Sequence, residues 1–218
     1  EEYLRKTALG WAAVHSSGIQ FGKPWTWEHE LNEVSTRIDR LADSIPELLG
    51  AADPLLNRLK EMAASEPVDP VVPSHGSFRP AQVLIYHGQI GFIDFDSFSQ
   101  SEPALDLALF LTTVKSIGLD TTEYDKKAPP LEGEAWAARF EQVSAMSARF
   151  LDVYEQALLA SQDHQNSPVL HISRRRVALW EALDFMMLVL HSWIKIKTFR
   201  LQDCISLLEN HLRSMGAL

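Results

Sequence analysis

The 218-residue chain has one cysteine, Cys204, which excludes a disulfide within it and fits a reducing compartment. Its place in an apolar helical stretch reads as a buried thiol rather than a nucleophile. The ten glycines are dispersed: there is no G-x-G-x-x-G, no Walker pattern and no lysine in an early strand, so these residues hold no phosphate-cradling loop. No basic run alternates with aromatics, and the net charge of -9 opposes general affinity for nucleic-acid phosphates or anionic membranes. No N-terminal signal peptide is present, and the longest apolar run, Val177 to Ile194, is broken by Glu181, Asp184 and His191. It reads as a core helix, not a membrane span. The eight histidines make no H-E-x-x-H and no zinc-spaced pair, and repeats, heptads and low-complexity segments are missing. What remains, 46% apolar and 22% charged, is the composition of an ordinary globular protein of one large or two small domains, with a cytoplasmic location as the expectation.

Against this even background the stretch from Pro73 to Ala108 is dense in chemistry. Val83 to Tyr86 and Ile90 to Phe95 are two short apolar runs joined by His87-Gly88-Gln89, which predicts a β-hairpin. Before it, His75-Gly76-Ser77-Phe78-Arg79-Pro80-Ala81-Gln82 is a loop whose Gly and Pro forbid regular structure. If the second strand runs through Asp94-Phe95-Asp96, alternation sends both carboxylates to one face and Phe95 into the core. Two acids on one edge, with the Gln82 amide oxygen across the hairpin, suit a magnesium ion that also takes phosphate oxygens. The alternative is that Asp96 or Ser97 caps a turn and Asp94 binds loop amides.

These residues resemble the aminoglycoside phosphotransferase and choline kinase group of small-molecule kinases. That family's pattern is H-G-D-x-x-x-x-N, a hairpin, I-D-x-x, and a helix start of the D-P-x-x-D-L-A type. His75-Gly76, the step from 77 to 82, Ile93-Asp94 and Pro103-Ala104-Leu105-Asp106-Leu107-Ala108 follow it in order. The resemblance implies that Asp94 binds Mg²⁺ in company with ATP, that Gln82 replaces the metal-binding Asn, and that Asp106 braces the loop. His75 is catalytic by position or bonds the loop as its family counterpart does; Arg79 neutralises a phosphate or faces solvent. The departure is central, because Ser77 stands where the family has its catalytic Asp. A serine hydroxyl cannot act as a general base near neutral pH. Such a base is worth roughly 10²- to 10⁴-fold, while phosphoryl transfer proceeds mainly by positioning and charge neutralisation.

Apolar periodicity predicts helices from Tyr3 to His15, Glu28 to Ser44, Pro46 to Ala64, Ala104 to Ile117, Glu134 to Gln162, Pro168 to Lys197 and Arg200 to Ser214. Ser97 to Pro103 reads as an irregular polar link, and Gly118 to Gly133 as a loop that is a candidate lid. Trp25 and Trp27 read as packing anchors with a pocket wall as the alternative. Glu181 and Asp184 either meet a cationic substrate or form a buried pair with Arg174 to Arg176 or Lys195. His164 and His171 read as solvated.

The expected fold class is α+β and mostly helical, a protein-kinase-like C-terminal lobe with a small catalytic β-hairpin over residues 1-218. The nucleotide-gripping N-terminal lobe of the resembled family is absent from the chain, which starts at Glu1 without an initiator methionine. Two functions follow from the resemblance. One is phosphoryl transfer from ATP to a small-molecule hydroxyl through a degenerate catalytic loop. The other is a pseudokinase, a binding or regulatory module that keeps the fold without the chemistry.

Overall fold

The computed structural model describes residues 1–120, 131–162, 170–196 and 198–218. Helix α1, Glu2–His15, buries Ala8, Trp11, Ala12 and His15 along one stripe. Helix α2, Trp27–Ala42, buries Leu31, Val34 and Ile38 at the spacing of one amphipathic face. Helix α3, Glu47–Ala64, follows it antiparallel across a short turn and packs against it. Helices α4, Pro103–Leu119, α5, Gly133–Gln162, α6, Arg174–Ile194, and α7, Thr198–Met215, complete the helical layer. Pro103 sits at the first helical turn of α4, where its missing N–H has no partner to lose. The architecture is the expected α+β one, mostly helical with a small sheet region.

Helix α6 packs against α2, α3, α4 and α7 and buries Leu179, Trp180, Leu183, Phe185 and Met186. Among the described residues it is the one helix long and apolar enough to cross a membrane. It also carries buried Glu181, held by Lys115 Nζ of α4 at 2.5 Å, an ion pair that belongs in a protein core. The ionic partner of Glu181 is therefore neither Arg174 to Arg176 nor Lys195.

Two small sheets pack against α1, the first of them also against α4. In the first, β1, Lys23–Pro24, runs parallel to β5, Ser99–Ser101, and β5 pairs antiparallel with β2, Val72–Ser74, in the register Val72↔Ser101 and Ser74↔Ser99. In the second, β3, Val83–Tyr86, and β4, Gln89–Phe92, form the expected hairpin with Ile85 opposite Ile90. The turn needs positive φ at both His87 and Gly88, and Lys6 Nζ of α1 donates to the Gly88 carbonyl at 2.6 Å.

Four sequence expectations are corrected. Strand β4 stops at Phe92, so Asp94-Phe95-Asp96 is not strand: Asp94 is left-handed at φ 72° and Phe95–Ser97 is one 3₁₀ turn. Asp94 and Asp96 therefore do not share a face by alternation, and Phe95 is 38% exposed instead of in the core. The polar link after Ser97 contains β5, whose Ser-Gln-Ser sequence has no apolar alternation because backbone pairing on both sides holds it. The sixth helix starts at Arg174, where the Ser173 hydroxyl accepts the Arg176 amide as an N-cap. Helix α4 continues to Leu119, and most of the proposed lid, with His164, lies outside the described residues.

Candidate active site

Strand β2 is buried throughout and delivers the chain into His75-Gly76-Ser77. Gly76 is held at φ +78°, and a Cβ there would lie 2.1 Å from the Ser97 carbonyl oxygen, so only glycine lets the two segments approach. Asp106, fully buried in the first turn of α4, accepts the His75 amide at 2.7 Å and the Gly76 amide at 3.0 Å. Its Oδ2 also lies 3.2 Å from His15 Nε2 at the end of α1. A carboxylate only accepts, so His15 donates from Nε2, and its Nδ1 takes the Tyr154 hydroxyl at 2.6 Å. Burial, reinforced by the Asp106 and Asp69 carboxylates, pushes the Tyr154 phenol well above its usual range and keeps it a donor. The bracing role implied for Asp106 is the one it performs, with His15 and Tyr154 as its partners.

Phe78 fixes the far side of the loop. It is fully buried, stacked at 3.8 Å on Trp11 of α1 and at 4.8 Å on Phe110 of α4. Nothing in the local sequence marks Phe78 for this; its anchors are 67 positions before and 32 after it in the chain.

The exposed edge of the loop brings Ser77, Gln82 and Asp94 together, as expected. Gln82 is buried, and its Nε2 donates to Ser77 Oγ at 3.3 Å and to Asp94 Oδ2 at 3.0 Å. Its Oε1 accepts the Arg79 amide at 2.8 Å. Gln82 therefore turns its NH₂ toward Asp94, while the oxygen expected at a cation serves the Arg79 N–H that opens the 3₁₀ turn Pro80–Gln82. His75 Nε2 lies 2.9 Å from the Ile93 carbonyl and so carries the proton. Nδ1 is then the lone pair that accepts the Ser77 hydroxyl at 3.1 Å. Arg79 is exposed and its Nε reaches back to the Ser77 carbonyl at 3.3 Å. Asp96 is exposed on the 3₁₀ turn.

A magnesium ion wants one or two carboxylates together with phosphate oxygens. Among the described residues no three His, Cys, Asp or Glu side chains converge as a metal cage. Exposed Asp94, with one oxygen on Gln82, fits an ion completed by a nucleotide rather than by protein alone. Beside it the hairpin has two faces. Ile90 and Phe92 lie against Gly10 of α1, while Leu84 and Tyr86 point the other way and are 51% and 75% exposed.

The other candidates resolve differently. Trp27 packs edge-on against Trp180, with ring centroids 5.7 Å apart, and the Trp25 indole donates to Glu30. Both also line an open cavity of about 840 Å³, so the packing and pocket readings coexist. Asp184 is pushed well above the carboxylate range by burial and by Glu30 and Glu181, the opposite of an acid awaiting a cation. His171 is exposed, 3.7 Å from Asp69.

The comparisons with known proteins bear on the fold. The chain aligns over 97% of its length with a glucosamine kinase, at 17% identity and TM-score 0.70, covering 53% of that protein. A choline/ethanolamine kinase family protein from Mesorhizobium loti is 12% identical over 99% of this chain and 65% of its own, with TM-score 0.59. An amicoumacin kinase is 14% identical over 98% of this chain and 58% of its own, with TM-score 0.54. The chain thus spans about half the length of the first of these, and the likeness is one of fold. No curated protein sequence matches it. Residues 1–142, well over half of the chain and including the whole loop, hairpin and α4 brace, match the sequence profile of the phosphotransferase enzyme family, and the chain belongs to that family.

Proposed function

We propose that the chain is the catalytic and substrate lobe of an ATP-dependent phosphotransferase that acts on a hydroxyl of a small molecule, working with a nucleotide-gripping N-terminal lobe. The observation that carries this is the meeting of Ser77, Gln82 and Asp94 at the exposed edge of a loop whose other side is buried and braced. Asp94 would hold Mg²⁺, and Gln82 joins it once its amide turns its oxygen from the Arg79 N–H to the ion. The metal supplies charge neutralisation on the transferring phosphoryl group. The exposed apolar face of Leu84, with Ile93 beside Asp94, suits the flat base of a nucleotide. A glucosamine kinase of the same fold is known in complex with glucosamine, ADP and inorganic phosphate, which supports a small hydroxylated acceptor.

Thermal unfolding of the full-length protein with and without Mg²⁺ and ATP tests the reading. Ligand at 100 times its Kd adds about 2.7 kcal/mol to the folded state and raises Tm. The rise should need Mg²⁺ and vanish in Asp94→Asn; no rise under any condition rejects the proposal. The pseudokinase reading is favoured by Ser77 itself and by the NH₂ that Gln82 presents to Asp94. Ser77→Asp separates the two. A large gain of phosphotransfer marks a lapsed enzyme, whereas no gain beside robust wild-type turnover shows that another group takes the proton.

A further inference from the structure

We propose that Ser77 and His75 form a proton relay that replaces the carboxylate base missing from the loop. This rests on the phosphotransferase reading above and names the group that takes the proton. Three observations point to it. The His75 tautomer is fixed, because Nε2 faces a carbonyl oxygen, that of Ile93, at 2.9 Å and must donate to it. Nδ1 is left as a base, and among the described residues the polar atom it meets is Ser77 Oγ at 3.1 Å. The imidazole is fully buried whereas Ser77 is half-buried, so Ser77 is the connection between His75 and the open edge where Asp94 stands.

A serine alone has no proton affinity to offer, but a serine hydrogen-bonded to a neutral imidazole of fixed tautomer does, through its neighbour. As the acceptor hydroxyl attacks, its proton passes to Ser77 Oγ while the Ser77 proton passes to His75 Nδ1. The acceptor oxygen bonds the γ-phosphorus of the nucleoside triphosphate. The bond from that phosphorus to the β,γ-bridging oxygen breaks, and its electron pair leaves with the nucleoside diphosphate. The imidazolium that results donates from both nitrogens, to Ile93 O and to Ser77, so each of its bonds is kept or reversed without side-chain movement. The ionisable side chains around it are Asp106 of α4, on the His75 backbone amide, and His15 of α1 beyond Asp106; Asp94, after β4, reaches Ser77 through Gln82. Ser77 meets the acceptor, and His75 acts through it.

The test is a double-mutant cycle in the full-length protein, with Mg²⁺-ATP as substrate, water as acceptor and ADP release as readout. His75→Gln keeps a donor for the Ile93 carbonyl and removes the base. In the Ser77 background it should lower turnover by roughly 10²-fold, the scale of general-base help. In a Ser77→Asp background, where a carboxylate takes the proton directly, the same substitution should cost at least tenfold less. A purely structural histidine would cost the same in both. Independently of turnover, ¹⁵N spectra of the His75 ring should show the Nε2–H tautomer, with an Nδ1 signal that shifts in Ser77→Ala. Equal penalties in the two backgrounds, or an Nδ1-protonated ring, overturn the relay while leaving the kinase reading intact. Nucleotide binding without ADP release from the wild type also overturns it, since no proton is then moved. Absence of Mg²⁺-ATP binding in a thermal-shift assay removes the kinase reading itself, and the relay with it.

Discussion

Asp106→Asn isolates the brace of the His75-Gly76-Ser77 loop. In the wild type Oδ2 serves the His75 amide and His15 Nε2, and Oδ1 serves the Gly76 amide. An asparagine has one acceptor oxygen, and its best placement keeps the two donors at Oδ2. Its NH₂ then confronts the Gly76 N–H, which loses a charge-assisted bond. Such a bond contributes about 1.5–3 kcal/mol, and a buried donor left without a partner costs about 1–3 kcal/mol more. The two descriptions overlap, so the net loss is roughly 2–4 kcal/mol. For a domain of this size each kcal/mol moves Tm by about 2–4 °C, giving a fall on the order of 10 °C. Asp106→Ala orphans three donors and should lose more. Urea denaturation measures the size of the effect, and amide hydrogen exchange its place: protection should fall first at Gly76 and only weakly in the β3–β4 hairpin. An Asp106→Asn variant within about 0.5 kcal/mol of wild type, or one with Gly76 still protected, would refute the assignment.

Two further substitutions probe the surrounding framework. Arg176 is buried against Glu102, its Nε on Oε2 at 2.7 Å, and it also lies over the Trp27 ring. Arg176→Met strands the Glu102 carboxylate and should cost about 3–5 kcal/mol by chemical denaturation, while adding Glu102→Leu should restore much of it. An additive double mutant would show that the pair is not the cause. Asp184→Asn tests the acids facing each other between α2 and α6. Burial raises the folded pKa of Asp184 above its unfolded value, and Glu30 is raised in the same way. The folded protein therefore holds a proton that the unfolded chain has released, and stability falls as pH rises from the ordinary carboxylate range through the raised value. Asp184→Asn should flatten that fall and raise Tm at neutral pH; an unchanged Tm–pH curve would contradict it.

The helices were legible because each carries a repeating apolar stripe, as Leu31, Val34 and Ile38 do in α2. The hairpin was legible from His87-Gly88, and the meeting of Ser77, Gln82 and Asp94 from the order of the family's motif. What escaped is set by contacts that local sequence does not encode. Strand β5 is three polar residues defined wholly by its neighbours. The orientation of the Gln82 amide depends on one backbone N–H, that of Arg79, which pattern reading does not see. The last arginine of Arg174-Arg175-Arg176 is buried and the two before it are exposed, because Glu102, 74 positions earlier, waits at that point of the helix surface. Strand alternation failed at Asp94 for a different reason: one left-handed residue turns the chain out of the strand before the second carboxylate.

That left-handed residue also separates what the fold needs from what the site needs. Asp94 stands at φ 72° and ψ 48°, a conformation that costs an L-residue about 1–2 kcal/mol, less for Asp than for most. Glycine there would relieve the strain and lose one part-buried bond from Gln82, worth about 1 kcal/mol. The two terms nearly cancel, so Asp94→Gly should leave Tm within about 2–3 °C of wild type. Stability therefore gives no reason to hold a carboxylate in a strained turn; the proposed binding of a cation would give one. The same variant should lose the Mg²⁺-dependent rise in Tm with ATP. Were it instead to unfold the loop, with exchange protection lost at His75, Gly76 and Gln82, Asp94 would be part of the scaffold and the metal assignment would have no support from strain.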